Sequence, residues 1–190
     1  MGFGRVLLQM NVSARVGFVA VGLGSTSLMD DWCPGCKQYN EMMTTVARAM
    51  AAAGPSARLR GMVWVQGESD TGNDWTAGSY RERFSTFLAT LRADLSPHHP
   101  QLPVVLSIMS ARQRVSIFPY IELVRSQQAA INDAAVLKVD QQDYAFYLSS
   151  MADPYNPSRV WWDQAIHMTQ DGQCDMGADM AAAYAASGMQ

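Results

Sequence analysis

The alternation of short apolar runs with segments of helical period constrains the fold of this chain more than any other feature. Four apolar runs predict buried strands, at residues 15–21, 61–66, 103–109 and 135–139. Segments in which apolar residues recur three and four positions apart lie between them and predict helices. Strands and helices that alternate in this way indicate an α/β fold with a parallel sheet joined by right-handed crossovers.

In the predicted helices, apolar residues with helical spacing form stripes along one face. The first predicted helix ends at Gly54, and the last begins at Thr169, whose hydroxyl suits a helix N-cap. The clearest stripe consists of Tyr80, Phe84, Phe87, Leu88, Leu91 and Leu95. The other stripes are formed by Tyr39, Met42, Met43, Val46 and Met50, by Ile117, Ile121, Val124 and Ile131, and by Met176, Met180 and Tyr184. Between residues 140 and 166 we expect a long irregular segment.

Composition limits the classes of protein to which the chain can belong. Its 190 residues suit one domain over 1–190, and 48% apolar against 16% charged residues allow a buried core. A net charge of -3 without a basic run predicts no nucleic-acid partner. The longest apolar runs, at 16–23 and 46–53, are shorter than the roughly 20 residues that cross a membrane, so no membrane partner is expected. No signal peptide is visible, and the cellular location stays open.

The loops beyond the carboxyl ends of the strands are where an open parallel sheet places its chemistry. In the predicted topology three loops meet there, at residues 22–32, 66–75 and 140–167. We therefore expect the functional residues in these three segments.

Each of these loops contains a motif. Residues 24–28 read Gly-Ser-Thr-Ser-Leu and precede Trp32, residues 64–70 read Trp-Val-Gln-Gly-Glu-Ser-Asp, and residues 163–169 read Asp-Gln-Ala-Ile-His-Met-Thr. In type and order they resemble the motifs of the SGNH-type carbohydrate esterases, specifically carbohydrate esterase family 6 and the sialate O-acetylesterase-like group. The resemblance runs from about residue 3 to the C-terminus. It implies a three-layer α/β/α flavodoxin-like fold and hydrolysis of short-chain acyl esters, acetyl esters above all, on a carbohydrate.

The resemblance also implies a mechanism of the Ser-His-Asp type. Ester hydrolysis through an acyl-enzyme needs a base, a carboxylate that orients the base, and N–H donors for the oxyanion. His167 is the implied base and acid, and Asp163 is the implied orienting carboxylate. The family places this carboxylate three residues before the histidine, where the present chain has Gln164, so Asp163 needs a one-residue bulge to reach the imidazole.

The oxyanion donors and the nucleophile complete the implied site. The side-chain amide of Gln66 and the backbone of Gly24 and Ser25 are the implied donors. The family's serine nucleophile belongs to a Gly-Gln-Ser-Asn-Met block on its first strand, and no such block precedes Gly24. The nucleophile is therefore unassigned, and the nearby hydroxyls are those of Ser25, Ser13 and Ser69.

The family's first strand lies in the middle of its sheet, so we expect a gap or a rearrangement at the N-terminal side of the sheet. Unpaired backbone groups in such a gap cost roughly 1–3 kcal/mol each. Three arrangements could pair these backbone groups. Residues 6–10 form a substitute strand that Ser13 would follow, a partner chain donates a strand in a homo-oligomer, or the sheet closes in a new order.

A Cys-x-x-Cys sequence at residues 33–36 suggests a different chemistry. Cys33 and Cys36 follow a tryptophan and precede a predicted helix, as in thioredoxin, where the helix N-terminus lowers a thiol pKa. A thiol oxidoreductase, a local disulfide and a simple turn all fit this spacing. A carbohydrate-binding or catalytically inactive member of the esterase group is a further alternative.

Other polar residues predict no cofactor. His98 and His99 lie in a polar turn without the cysteines or carboxylates of a metal site, which predicts a solvated loop. Glu68 and Asp70 either form an acid/base pair for glycoside cleavage or shape their loop. An acylated carbohydrate or a small ester is the expected substrate, with neither metal nor organic cofactor.

Overall fold

The computed structural model describes residues 2–95, 101–147, 150–153, 156–162 and 165–189. In chain order its helices are α1 (Gly2–Gln9), α2 (Lys37–Ala53), α3 (Asp74–Gly78), α4 (Tyr80–Asp94), α5 (Ile121–Ala129) and α6 (Gln170–Ala186), with a 3-10 turn at Glu68–Gly72. Its strands are β1 (Met62–Trp64), β2 (Val104–Ile108), β3 (Val136–Asp140), β4 (Ser150–Asp153) and β5 (Asn156–Trp162). Among the described helices, none has the length and apolar character needed to cross a bilayer.

A parallel sheet in the order β1-β2-β3 forms the middle layer. Met62 pairs with Val104, and Val104 pairs with Val136, so the three strands start at the same level. Three predicted strands are therefore confirmed, with ends that differ by one or two residues. Because the strands are parallel, the loops that follow them lie at one edge of the sheet.

Helices cover both faces of this sheet, which confirms the predicted three-layer α/β/α class. Val104 and Leu106 point to one face, where they pack in a core with the apolar stripe of α4. Val105 points to the other face, where it packs with Leu7 of α1 and Tyr184 of α6. Alternate residues of β2 thus contribute to opposite cores, as the two-residue period of a strand requires.

The aromatic stripe of α4 is the largest part of the first core. Tyr80, Phe84 and Phe87 are fully buried, and the ring centroids of Phe87 and Trp64 lie 4.8 Å apart. Burial of such a side chain contributes about 1.5–3 kcal/mol. The stripe therefore fixes α4 against β1, at the strand end where the 66–75 loop begins.

Two helix ends agree with the sequence. Helix α2 is followed by Gly54 with a φ of 85°, a left-handed backbone that favours glycine. The Thr169 hydroxyl accepts a hydrogen bond of 3.0 Å from the Gly172 N–H. Thr169 is therefore confirmed as the N-cap of α6.

Helices α1 and α6 pack against each other through glycines. A Cβ atom on Gly2 would lie 2.3 Å from the Cys174 carbonyl oxygen, and one on Gly177 would lie 3.0 Å from the Phe3 backbone nitrogen. The absence of side chains at these two positions lets the two backbones approach closely.

Two segments ahead of the first motif differ from their predictions. Residues 6–10 run along α1 and the turn after it instead of forming a substitute strand, because helical period places Leu7 in the core beside α6. Residues 15–21 form no strand, and Phe18 is 64% exposed. An extended segment becomes a strand only where a neighbour accepts its backbone hydrogen bonds, and no described strand pairs with this segment.

The expectation of a long irregular segment at residues 140–166 is also wrong in part. Strands β4 and β5 form an antiparallel hairpin there, in which Met151 pairs with Trp161 and a register shift occurs at Ala152. A hairpin satisfies its backbone locally, so it needs no place in the main sheet.

Strand β1 is an edge strand among the described residues, since it pairs with β2 alone. Trp64 is buried, whereas Val63 and Val65, on the opposite face, are 42% and 45% exposed. A free edge of this kind presents backbone N–H and C=O groups that another strand can pair with. The sheet therefore has an open position beside β1.

Val63 and Val105 are paired residues on neighbouring strands and provide a matched test. Val105→Ala should lower the free energy of unfolding by about 2–3 kcal/mol, because Val105 is 1% exposed and its two methyl groups leave a cavity. Val63→Ala should cost less than about 1 kcal/mol, because Val63 is already half exposed. Urea unfolding measures both values. The measurement is made at a protein concentration at which the chain is monomeric, and equal costs there would contradict the exposed position of Val63.

Candidate active site

The turn at residues 24–32 is held by the side chain of Thr26. Its hydroxyl donates to the Leu23 carbonyl (2.7 Å) and accepts from the indole N–H of Trp32 (2.9 Å). Trp32 packs edge to face on Trp64 of β1, with ring centroids 5.6 Å apart. The threonine and the tryptophan of the first motif therefore shape the turn and fix it to the sheet.

Gln66 follows β1, and its side chain is fully engaged. Its Nε2 donates to the Thr26 carbonyl (3.1 Å) and to Oδ2 of Asp70 (2.5 Å). Its Oε1 accepts from the Tyr80 hydroxyl (3.1 Å). The structure thus brings Gln66 against the first loop, and both of its side-chain N–H hydrogens already have acceptors.

Asp70 joins the first two loops. It is fully buried, and its Oδ2 also accepts from the Leu28 backbone N–H (2.9 Å). Burial raises the pKa of Asp70 above the usual value of 3.8, although hydrogen bonds from Leu28, Gln66 and Met29 and the charge of Arg83 oppose the rise. Asp70 therefore shapes its loop, which was one of the two roles that the sequence left open for it.

Gly67 allows the chain to bend sharply after Gln66. It has a φ of 151°, and a Cβ there would lie 2.6 Å from the Met109 sulfur and 2.9 Å from Nε2 of Gln128. That Nε2 donates to the Gln66 backbone carbonyl (2.9 Å). Glycine in the second motif is therefore a steric requirement.

Gln113 joins the second loop to the third. Only 3% of it is exposed, and its Nε2 donates to Oε1 of Glu68 (3.3 Å) and to the Ile166 carbonyl (3.1 Å). Ile166 precedes His167, which is exposed and whose carbonyl accepts from the Tyr147 N–H (3.0 Å). The histidine loop is thereby tied to the loop that carries Gln66.

Gln113 was not among the residues that the motifs predicted. It lies in the segment between β2 and α5, which has no recognisable motif. The one available signal was its position after the carboxyl end of a predicted strand, where polar residues meet the site.

The predicted backbone donors lie on the first loop. Gly24 and Ser25 form an exposed turn directly before Thr26. Ser25 has a φ of 60°, a left-handed conformation that is unfavourable for residues other than glycine. Glycine would adopt this backbone conformation without strain.

The other predicted residues have different outcomes. Asp163 lies outside the described residues, so its role stays a prediction. Ser13 is exposed, and its hydroxyl donates to the Arg15 carbonyl (2.8 Å). Ser69 is exposed within the 3-10 turn, between Glu68 and Asp70.

Cys33 and Cys36 form a disulfide directly ahead of α2. The local disulfide that the sequence left open is therefore present. Cys33 also lines a cavity of about 330 Å³, and a second cavity of about 200 Å³ lies beside Met42 of α2. Neither of these two cavities is lined by Gln66 or His167.

Within the part of the chain that the structure describes, no group of three histidine, cysteine or acidic side chains could hold a metal ion. The histidines at 98 and 99 lie outside that part. The three loops carry an exposed histidine, two exposed serines and a partly buried network of amide and carboxylate groups. These are groups of the kind that acyl transfer uses.

Comparison with known proteins bears directly on this arrangement. Residues 1–186 match the family described as carbohydrate esterase, sialic acid-specific acetylesterase. The chain belongs to this family. The resemblance carried by the three motifs is thereby confirmed.

The sequence identity between this chain and its known relatives is low. A probable carbohydrate esterase of Arabidopsis thaliana is 24% identical over 172 residues, which are 90% of this chain and 56% of that protein. The solved structure of the same Arabidopsis thaliana protein superposes with a TM-score of 0.76 at 23% identity, over 97% of this chain and 66% of the solved chain. The esterase-family chain thus shares the fold of that structure and spans little more than half the length of the curated relative.

Asp70→Asn tests the buried carboxylate by its pH dependence. Since burial raises the pKa of Asp70 in the folded state, the contribution of this group to stability is fully present below pH 3.8 and is lost as the pH rises through the raised value. Asparagine does not titrate. The unfolding free energy of the wild type minus that of Asp70→Asn should therefore increase as the pH falls from 7 to 4. Urea unfolding across this range measures it, and a pH-independent difference would contradict the assignment.

Proposed function

We propose that this chain hydrolyses acetyl and other short-chain acyl esters of a carbohydrate through an acyl-enzyme. The observation that supports this most is that side chains of Gln66 and Gln113 tie the three motif loops together at the carboxyl edge of the sheet. Membership of a carbohydrate esterase family supports the substrate class. An acylated carbohydrate or a small ester would bind at this edge, and the proposal involves no metal or organic cofactor.

His167 is the proposed general base and acid. Its exposure makes the imidazole accessible to a substrate that approaches the edge of the sheet. It would take the proton of the attacking hydroxyl and return it to the leaving sugar alcohol. Asp163 is the proposed partner that holds the imidazole tautomer.

Gln66, with the backbone of Gly24 and Ser25, is the proposed oxyanion site. For Gln66 to donate to an oxyanion, one of its two existing hydrogen bonds has to give way. The bond to the Thr26 carbonyl, at 3.1 Å, is longer than the charge-assisted bond to Asp70 and is the one expected to break. An oxyanion donor of this kind contributes roughly 3–4 kcal/mol to transition-state stabilisation.

The nucleophile is proposed among Ser25, Ser69 and Ser13. Ser25 and Ser69 lie on the two loops that Gln66 and Asp70 hold together. Ser13 follows α1, and its hydroxyl already donates to a backbone carbonyl. Ser25 and Ser69 are therefore the better placed of the three.

Turnover of p-nitrophenyl acetate tests the proposal. His167→Ala should lower the rate at least about a hundredfold, because general acid–base catalysis is lost. His98→Ala makes the same chemical change at a residue without a proposed role and should leave the rate unchanged. Turnover that is indifferent to His167→Ala would remove the histidine from the mechanism.

A fluorophosphonate probe identifies the nucleophile in the same preparations. Peptide mass spectrometry of the labelled wild type should place the probe on one of the three serines. In Ser25→Gly the backbone can keep its left-handed conformation at φ 60° while the hydroxyl is removed. A loss of label in this variant can therefore be assigned to the missing hydroxyl. A label on none of the three would reject all of them.

A carbohydrate-binding member without catalysis is the second candidate. The engagement of both Gln66 N–H hydrogens favours it, since neither is free for an oxyanion in the structure as it stands. A folded wild type without turnover on p-nitrophenyl acetate would support this candidate. The thiol oxidoreductase hypothesis is compatible with the disulfide ahead of α2, and nothing else in the described residues favours it.

A homo-oligomer that completes the sheet is part of the proposal. The free edge of β1 and the exposed Val63 and Val65 support pairing with a strand from a second copy. Sedimentation equilibrium should then report a dimer. Val63→Lys should weaken the dimer, whereas Val115→Lys changes an exposed valine elsewhere and should not. A stable wild-type monomer would contradict the proposal.

A further inference from the structure

Tyr80 links the aromatic core to the proposed oxyanion donor. It is the first residue of α4 and is fully buried, and its hydroxyl lies 3.1 Å from Oε1 of Gln66. Its ring belongs to the apolar stripe of α4, where a phenylalanine ring would pack equally well. The hydroxyl therefore needs an explanation of its own.

The hydroxyl of Tyr80 is fixed as a donor towards Gln66. Its oxygen accepts from the indole N–H of Trp64 (3.1 Å), and an indole nitrogen can only donate. Burial raises the pKa of Tyr80, so the hydroxyl keeps its single hydrogen. That hydrogen faces two oxygens of Gln66, the backbone carbonyl and Oε1, each at a distance of 3.1 Å.

The backbone carbonyl of Gln66 already has another donor. Nε2 of Gln128 donates to it (2.9 Å), and Oε1 of Gln128 accepts from the Met109 backbone N–H (2.9 Å). Because a backbone N–H can only donate, this contact fixes which end of the Gln128 amide faces Gln66. The Tyr80 hydrogen is therefore available to Oε1 of Gln66.

The orientation of the Gln66 amide follows from these directions. Its oxygen end faces the Tyr80 donor, and its nitrogen end faces two acceptors, the Thr26 carbonyl (3.1 Å) and Oδ2 of Asp70 (2.5 Å). Once the bond to Thr26 gives way to an oxyanion, the amide is held at two points. Asp70 holds its nitrogen, and Tyr80 holds its oxygen.

We propose that Tyr80 is a positioning residue for ester hydrolysis, which holds the Gln66 amide with its N–H end towards the oxyanion. The inference rests on the proposed role of Gln66 as oxyanion donor. Without the hydroxyl, Asp70 alone holds the amide in the transition state, and the amide can rotate about that single bond. In the bound substrate the bond to Thr26 is still present. Loss of the hydroxyl should therefore lower kcat and leave KM nearly unchanged.

Turnover of p-nitrophenyl acetate by Tyr80→Phe tests this role. The substitution removes one oxygen atom and keeps the ring. We expect kcat to fall about tenfold or more, because stabilisation by an oxyanion donor is lost in part, while KM stays within about twofold. Tyr39→Phe is the matched control, since it removes the hydroxyl of another buried tyrosine, which donates to Asp94, and it should leave kcat unchanged. A smaller fall, or an equal fall in Tyr39→Phe, would overturn the proposal.

A double-mutant cycle separates positioning from a general loss of structure. Tyr80→Phe also leaves the buried Trp64 N–H without this acceptor, and a looser core would lower the rate by itself. If Tyr80 acts through Gln66, Tyr80→Phe should change kcat by less than about twofold when residue 66 is already alanine in Gln66→Ala. A larger change in that background would assign the effect to the core and overturn the proposal.

Nitrogen-15 NMR detects the orientation of the amide without turnover. The Nε2 group of Gln66 and the Leu28 backbone N–H both donate to Oδ2 of Asp70, so their hydrogens should show a nuclear Overhauser effect in the wild type. The effect should be lost in Tyr80→Phe and kept in Tyr39→Phe. Its absence from the wild type, which needs no variant to fold, or its persistence in Tyr80→Phe would overturn the proposal.

Failure of this inference and failure of the proposed function are distinguishable. A folded wild type that does not turn over p-nitrophenyl acetate would refute the esterase, and the NMR comparison would still decide whether Tyr80 orients Gln66. Turnover by the wild type that Tyr80→Phe leaves unchanged would refute the role of Tyr80 and keep the esterase.

Discussion

The buried carboxylate of Asp70 is the interaction on which the rest of the site depends. A carboxyl group out of water is costly unless hydrogen bonds satisfy it, and Asp70 receives them from Leu28 on the first loop and from Gln66 on the second. A residue at position 70 that could not accept hydrogen bonds would leave buried N–H donors unpaired, at a cost of about 1–3 kcal/mol each. The turn at residues 24–32, the end of β1 and the loop that follows it are therefore held together as one unit by hydrogen bonds.

That unit lies directly on the aromatic core. The Tyr80 hydroxyl donates towards Gln66 and accepts from the Trp64 indole N–H (3.1 Å), so a polar chain extends from the core to the motif loop. Phe84 and Phe87 pack around the same tryptophan. The position of Gln66 is thus determined by a helix and a strand, which are more rigid supports than a loop.

Patterns that act over a few residues were predictable from the sequence, and long-range pairing was not. Helical stripes and the cap at Thr169 are visible because period and capping are local. Residues 15–21 are as apolar as a strand. A strand forms only where a neighbouring strand pairs with it, however, and a local sequence pattern does not reveal that neighbour. In the site, Gln66 belongs to a specific motif and could be predicted. Gln113 could not, because its hydrogen-bond partners lie 45 and 53 residues away in the chain.

The close packing of α1 on α6 has a consequence for biosynthesis. Gly2 is synthesised well before Cys174, against which it packs. At the usual 5–20 residues per second the nascent chain carries α1 for roughly ten to forty seconds before its docking surface exists. During that interval the apolar side chain of Leu7 lacks the cover that α6 gives it in the folded chain.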